Sequence, residues 1–204
     1  MQALDAALSK EKDKQDFVRE TASYEGGRDD REYTMEDYYN LPDDVRVELI
    51  DGKLFYMESP SSLHQMALTD MLVQTKNFID NNHGTCVPFV APMDVQLDCD
   101  NHTMLQPDFM IICDRSRIQE KKIYGAPDFV AEVASPSTSY KDGMVKLRKY
   151  INAGVREFWT VDRLTDRVIS YFEGDGYIPH IYDNKDGIPV RIYEGKLKII
   201  FSEL

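Results

Sequence analysis

Asp108, Glu132 and Lys146 are the residues of this chain whose types and spacing point most directly to chemistry. Asp108 follows Pro107 and opens the apolar run Phe109-Met110-Ile111-Ile112-Cys113. Glu132 comes 24 residues later, inside Asp128-Phe129-Val130-Ala131-Glu132-Val133-Ala134, and Lys146 another 14 on. Both carboxylates are embedded in segments that read as buried strands. An ion withdrawn from water into such a segment is costly unless a partner offsets the loss. A divalent cation held between two acids is one such partner, and the carbonyl of Val133 would add a further hard oxygen ligand. A lysine nearby would meet the negative charge that builds up in a hydrolytic transition state. Two acids and a lysine, held by neighbouring strands and a helix, can hydrolyse a phosphodiester with Mg²⁺ or Mn²⁺. Without the cation, like-charge repulsion would strain the pair.

Simpler readings stand beside these. Asp108 would serve equally as a turn cap after proline, and Lys146 as an ordinary helix lysine. Tyr150 and Trp159 read as core. The remaining histidines, His83, His102 and His180, show no ligand spacing.

The elements that must position the site follow from pattern. Thr34 caps a short helix through Tyr39. Arg46–Ile50 and Lys53–Met57 flank Asp51-Gly52, a strong hairpin signal, with Glu48 on the opposite side from Val47 and Leu49. Ser59–Ser62 caps a helix that carries His64 in its first turn; Met71, Leu72, Thr75, Phe78 and Ile79 form its apolar stripe, and Asn81–Gly84 stops it. Strands are expected at about 85–90, 93–97, 104–113 and 128–134. A helix follows Ser137, with Met144, Leu147, Tyr150 and Ile151 inward. Val155–Val161 reads as a strand, Arg167–Glu173 with Gly176–Tyr182 as a hairpin, and Gly195–Phe201 as a last edge strand. This order predicts a mixed α/β sheet with helices on its faces.

Composition narrows the class. At 204 residues and 42% hydrophobic, the chain suffices for one domain, residues 32–204, behind a flexible or loosely helical arm over 1–31. No apolar run nears the ~18 residues of a membrane span, so no membrane partner is expected. Cys86, Cys99 and Cys113 are odd in number and lack CxxC spacing, which argues against zinc and disulfides and for a cytoplasmic setting. The net charge of −12 disfavours avid nonspecific nucleic-acid binding. Its distribution is uneven: residues 1–44 carry 13 acids and 6 bases, whereas Arg115–Arg156 carries nine bases and four acids. That basic segment overlaps the acid pair.

Taken together, Val47-Glu48-Leu49-Ile50-Asp51-Gly52, His64, Gln106-Pro107-Asp108, Glu132-Val133-Ala134-Ser135-Pro136-Ser137-Thr138, Asp142 with Lys146 and Tyr150, and Gly154–Asp162 resemble the PD-(D/E)XK restriction-endonuclease-like superfamily. Within it they resemble a large bacterial family of uncharacterised restriction endonucleases known as a domain of unknown function. The likeness covers about residues 33–175. It implies a restriction-endonuclease-like sheet with an added N-terminal hairpin and C-terminal strands. It also implies Mg²⁺-dependent (or Mn²⁺-dependent) hydrolysis of DNA by a homodimer, with Asp108, Glu132 and Val133 on the metal, Glu48 assisting and Lys146 catalytic. His64, Ser135 and Asp142 would contact substrate or support these groups. One departure stands out: the superfamily lysine belongs two residues after the second acid, where this chain has Ala134. Lys146 on the next helix would take its place. The competing expectation is an oligomeric nucleic-acid-associated module that keeps the fold with weak or no catalysis; a hydrolase of smaller phosphoesters is a third.

Overall fold

A computed structural model describes residues 31–42, 45–57, 59–134 and 140–203, excluding the side chains of 140–143 and 186. The expected arm over 1–31 lies outside the described residues apart from Arg31, and so does Ser135. The chain forms two compact units. The first comprises Asn101–Met104 and the described residues before Ser59; the second comprises Ser59–Asp100 and the rest from Leu105.

In the first unit, helix α1 (Met35–Tyr39) starts as the sequence predicts. The Thr34 side chain accepts the Asp37 N–H, and the Asp37 carboxylate accepts the Thr34 N–H at 2.9 Å, a reciprocal cap. Strands β1 (Val47–Ile50) and β2 (Lys53–Tyr56) form the expected hairpin. Asp51 and Gly52 both take positive φ, 49° and 74°, as a two-residue turn of this hand requires. Met104 pairs with Leu49 through two backbone hydrogen bonds of 2.7 and 2.8 Å. Tyr33, Met35, Leu49 and Met104 form the unit's apolar cluster. All four β1 residues are buried, so Glu48, only 3% exposed, is no surface hairpin residue.

The second unit contains helix α2 (Ser62–Asn81), β3 (Val87–Val90), β4 (Asp94–Gln96), β5 (Phe109–Ile112), β6 (Lys122–Tyr124), β7 (Phe129–Val133), helix α3 (Tyr140–Ala153), β8 (Glu157–Asp162), β9 (Arg167–Phe172), β10 (His180–Asp183), β11 (Ile188–Val190) and β12 (Leu197–Ile199). Among the described residues the main sheet has six strands in the order β10-β9-β8-β7-β5-β3. Only β7 and β8 run parallel, joined through α3; the other pairs are antiparallel. One face of the sheet, with Phe109, Ile111, Phe129, Ala131, Val133, Trp159 and Val161, packs with Ala67, Leu68 and Met71 of α2. The mixed α/β sheet flanked by helices is thus as the sequence implies.

Four local expectations are corrected. The strand foreseen over 104–113 shortens to β5; Pro107 lacks the N–H that a ladder needs, and Leu105 instead bridges Val95. Strand β6, which the sequence did not signal, pairs parallel with β4. The last strand does not edge the main sheet: β12 pairs with β11, and Gln74 and Asp70 of α2 hold Ile200 and Ser202 beside it. Finally, Cys86 and Cys113 form a disulfide, with Sγ–Sγ 2.11 Å. They lie just outside the paired Val87 and Ile112, facing each other across β3 and β5, a proximity that an odd cysteine count conceals. The cytoplasmic expectation loses the support it drew from unpaired cysteines. Among the described residues no helix is long and apolar enough to cross a membrane.

Candidate active site

Antiparallel pairing of Phe109 with Ala131 sets the site. Asp108 immediately precedes Phe109 and Glu132 immediately follows Ala131, so the two acids are the next residues beyond the last pair of this ladder. Asp108 is 8% exposed. Its Oδ2 accepts the Val133 N–H at 2.8 Å and lies 3.1 Å from Nε2 of His64. His64 does two things: its backbone N–H is taken by Ser61 Oγ at the start of α2, while its ring reaches Asp108. His64 Nδ1 is buried and has no hydrogen-bond partner among the described residues.

Strand alternation places Phe129, Ala131 and Val133 with the α2-facing core, so Glu132 points to the α3 side. There Tyr150 Oη donates to Glu132 Oε1 at 2.6 Å, and Lys146 Nζ approaches the same oxygen at 3.2 Å. Lys146 and Tyr150 are four apart on α3 and therefore share one face. The Glu132 and Lys146 side chains are 16% and 17% exposed. Tyr150 is fully buried, its ring stacked on Phe158 with centroids 5.2 Å apart.

The like-charge strain expected of an empty acid pair is set beside partners that the sequence did not show. Each carboxylate has partners of its own: Glu132 accepts hydrogen bonds from Lys146 and Tyr150, and Asp108 accepts the Val133 N–H and lies in ion-pair range of His64. Tyr150, expected only in the core, is also a polar partner of the site; its i+4 spacing from Lys146 was the available signal. Glu48 belongs to the first unit, across from Phe55. Of Asp142 only the backbone, within α3, is described.

Among the described residues, no group of three or more His, Cys, Asp or Glu side chains is arranged to hold a metal ion. By donor chemistry alone, carboxylate oxygens suit Mg²⁺, a hard cation that usually keeps several waters and takes one or two protein carboxylates plus substrate phosphate.

The basic segment around the site is partly cross-braced. Lys149 meets Asp98 at 2.5 Å, Lys122 meets Gln96 at 2.6 Å, Arg156 meets Asp128 at 3.4 Å, and Arg117 donates to the Ala126 carbonyl. Arg115, Lys121 and Arg148 are exposed.

A further acid, Glu157 on β8, was not singled out from the sequence. It is fully buried. The Trp159 indole N–H donates to it at 2.7 Å and the Ile192 amide at 2.8 Å. Burial pushes its pKa up to about 7, although these donors favour the ionised form and oppose the rise.

Comparison with known proteins agrees with the architecture. The family profile described as "Uma2: Putative restriction endonuclease" matches residues 35–195. The crystal structure of "a putative nuclease belonging to DUF820 from Anabaena variabilis ATCC 29413" superposes with a TM-score of 0.67 at 20% identity, covering 82% of this chain and 94% of that one. At that identity the likeness concerns the fold. No curated protein matches the chain.

Proposed function

Because the chain belongs to the family described as putative restriction endonucleases, we propose that it is a metal-dependent endonuclease hydrolysing DNA phosphodiester bonds. The observation that carries this reading is that Asp108 and Glu132 flank the Phe109–Ala131 pair at the same end of adjacent strands, with Lys146 on Glu132. Asp108 and Glu132 would hold Mg²⁺ or Mn²⁺, with the Val133 carbonyl as a further oxygen. The ion would polarise the phosphoryl oxygen and lower the pKa of a bound water. Lys146, on a long flexible stem, would turn from Glu132 to the phosphate as negative charge develops there. His64 would hold Asp108 in orientation through Nε2. Glu48, Ser135 and Asp142 are assigned supporting roles on the family resemblance alone, and so is action as a homodimer on duplex DNA.

The second reading is a module of the same fold with weak or no catalysis. Ala134 at the usual lysine position favours it, as do acids already satisfied by internal donors. Mn²⁺ calorimetry with cleavage of a mixed DNA panel separates the two. Uptake of Mn²⁺ and cleavage by the parent, both lost in Asp108→Asn, support the endonuclease. A folded parent that takes up no Mn²⁺ and cuts nothing overturns it.

A further inference from the structure

We propose that Tyr150 is a positioning residue for Glu132. Its hydroxyl fixes Oε1, so that the carboxylate meets a divalent cation in one orientation. This deepens, and rests on, the metal-dependent reading above.

The geometry distinguishes Tyr150 from Lys146, although both touch the same oxygen. The phenol contact is the shorter, 2.6 Å against 3.2 Å. The terminal torsion of a glutamate is broad, so without a fixed donor its carboxylate plane is poorly determined. Tyr150 supplies that donor from a ring with no solvent exposure. The ring stacks on Phe158, and Phe158 pairs across from Val130, two residues before Glu132. The strands that carry the acid therefore also set its donor. A neutral hydroxyl orients the carboxylate without cancelling the charge that attracts a cation, whereas an ammonium does cancel it. The two α3 side chains divide the work: when Lys146 turns to a phosphate, Tyr150 keeps Glu132 in place. Groups that orient metal ligands in this way commonly contribute about 10–100-fold to metal affinity.

The test compares the full-length parent with Tyr150→Phe, which keeps the stacked ring and deletes only the hydroxyl, and with Glu132→Gln. Mn²⁺ affinity is measured by calorimetry, folding by circular dichroism and melting in metal-free buffer. The expected result is a folded Tyr150→Phe whose Mn²⁺ affinity is at least about tenfold weaker, with no uptake by Glu132→Gln. Tyr150→Phe binding Mn²⁺ as tightly as the parent, while Glu132→Gln does not bind, overturns the positioning role and leaves the metal reading standing. No uptake by the folded parent overturns both. A Tyr150→Phe protein that fails to fold also overturns the proposal, because it assigns the hydroxyl to holding the fold and not to positioning the carboxylate for a cation.

Discussion

Glu132 and Glu157 sit on adjacent parallel strands and solve the same problem in opposite ways. Glu157 is wholly buried and satisfied by N–H groups fixed in the backbone and in a core indole. Those dipoles do not offset the loss of water completely, and the acid titrates near neutrality. Glu132 keeps a sliver of solvent and a lysine whose long side chain can leave. On the proposed function, the difference separates a structural acid from a working one. Donors fixed in the backbone and the core lock β8 to the Ile192 segment, whereas the proposed function has Glu132 exchange its long-stemmed lysine partner for a cation.

The comparison can be broken first by activity. Glu132→Gln should lower metal-dependent DNA cleavage by at least about 10³-fold, about 4 kcal/mol in barrier. Glu157→Gln, measured in the same assay, should stay within about tenfold of the parent. Equal losses in two folded proteins would erase the distinction. Next in size is pH. Glu157 is raised from 4.5 to about 7 in the folded protein. Between those values the folded state keeps a proton that the unfolded chain has released. Its contribution to stability is therefore full below about pH 4.5 and is lost as pH rises through about 7, about 3 kcal/mol in all. Urea unfolding from pH 4.5 to 8 should show this component in the parent and not in Glu157→Gln. A smaller effect should follow Lys146→Met. Both partners are partly exposed, so the cost in metal-free buffer should be about 1 kcal/mol. Added Mn²⁺ should narrow that gap, because a cation then replaces the missing ammonium. The smallest change should come from Arg115→Glu with Lys121→Glu. If these exposed bases meet phosphates, DNA affinity should fall at ~50 mM salt and the logarithmic salt slope should flatten by about 2, with melting unchanged. Unaltered binding would assign them to a solvated face.

Features written in local pattern were legible in the sequence. The Asp51-Gly52 turn, the Thr34 cap and the limits of α2 each depend on residues a few positions apart. So does the strand bearing Glu132, whose apolar flanks mark it as inward. The concealed features depend on register. Tyr150 reads as core because its ring is core; only packing α3 beside β7 shows where the hydroxyl goes. Glu157 is a polar letter in a buried strand, and its donors come from Trp159 and from Ile192, 35 residues away. His64 is legible as a helix-start residue that could support the site, but its approach to Asp108 joins positions 44 apart in the chain and needs α2 packed beside β5. The pairing of Cys86 with Cys113 needs β3 and β5 side by side.

That pairing has a consequence for fragments. The bond spans a 27-residue separation, and the loop it closes includes the exposed Asp98, Cys99 and Asn101. A protease cutting there would sever the backbone without separating the products. On a denaturing gel the nicked chain should migrate as one species of full mass until a reductant is added, then resolve into two bands of roughly equal size. The edge strand β3 and the Asp108-bearing strand β5 would meanwhile remain tethered through a backbone break.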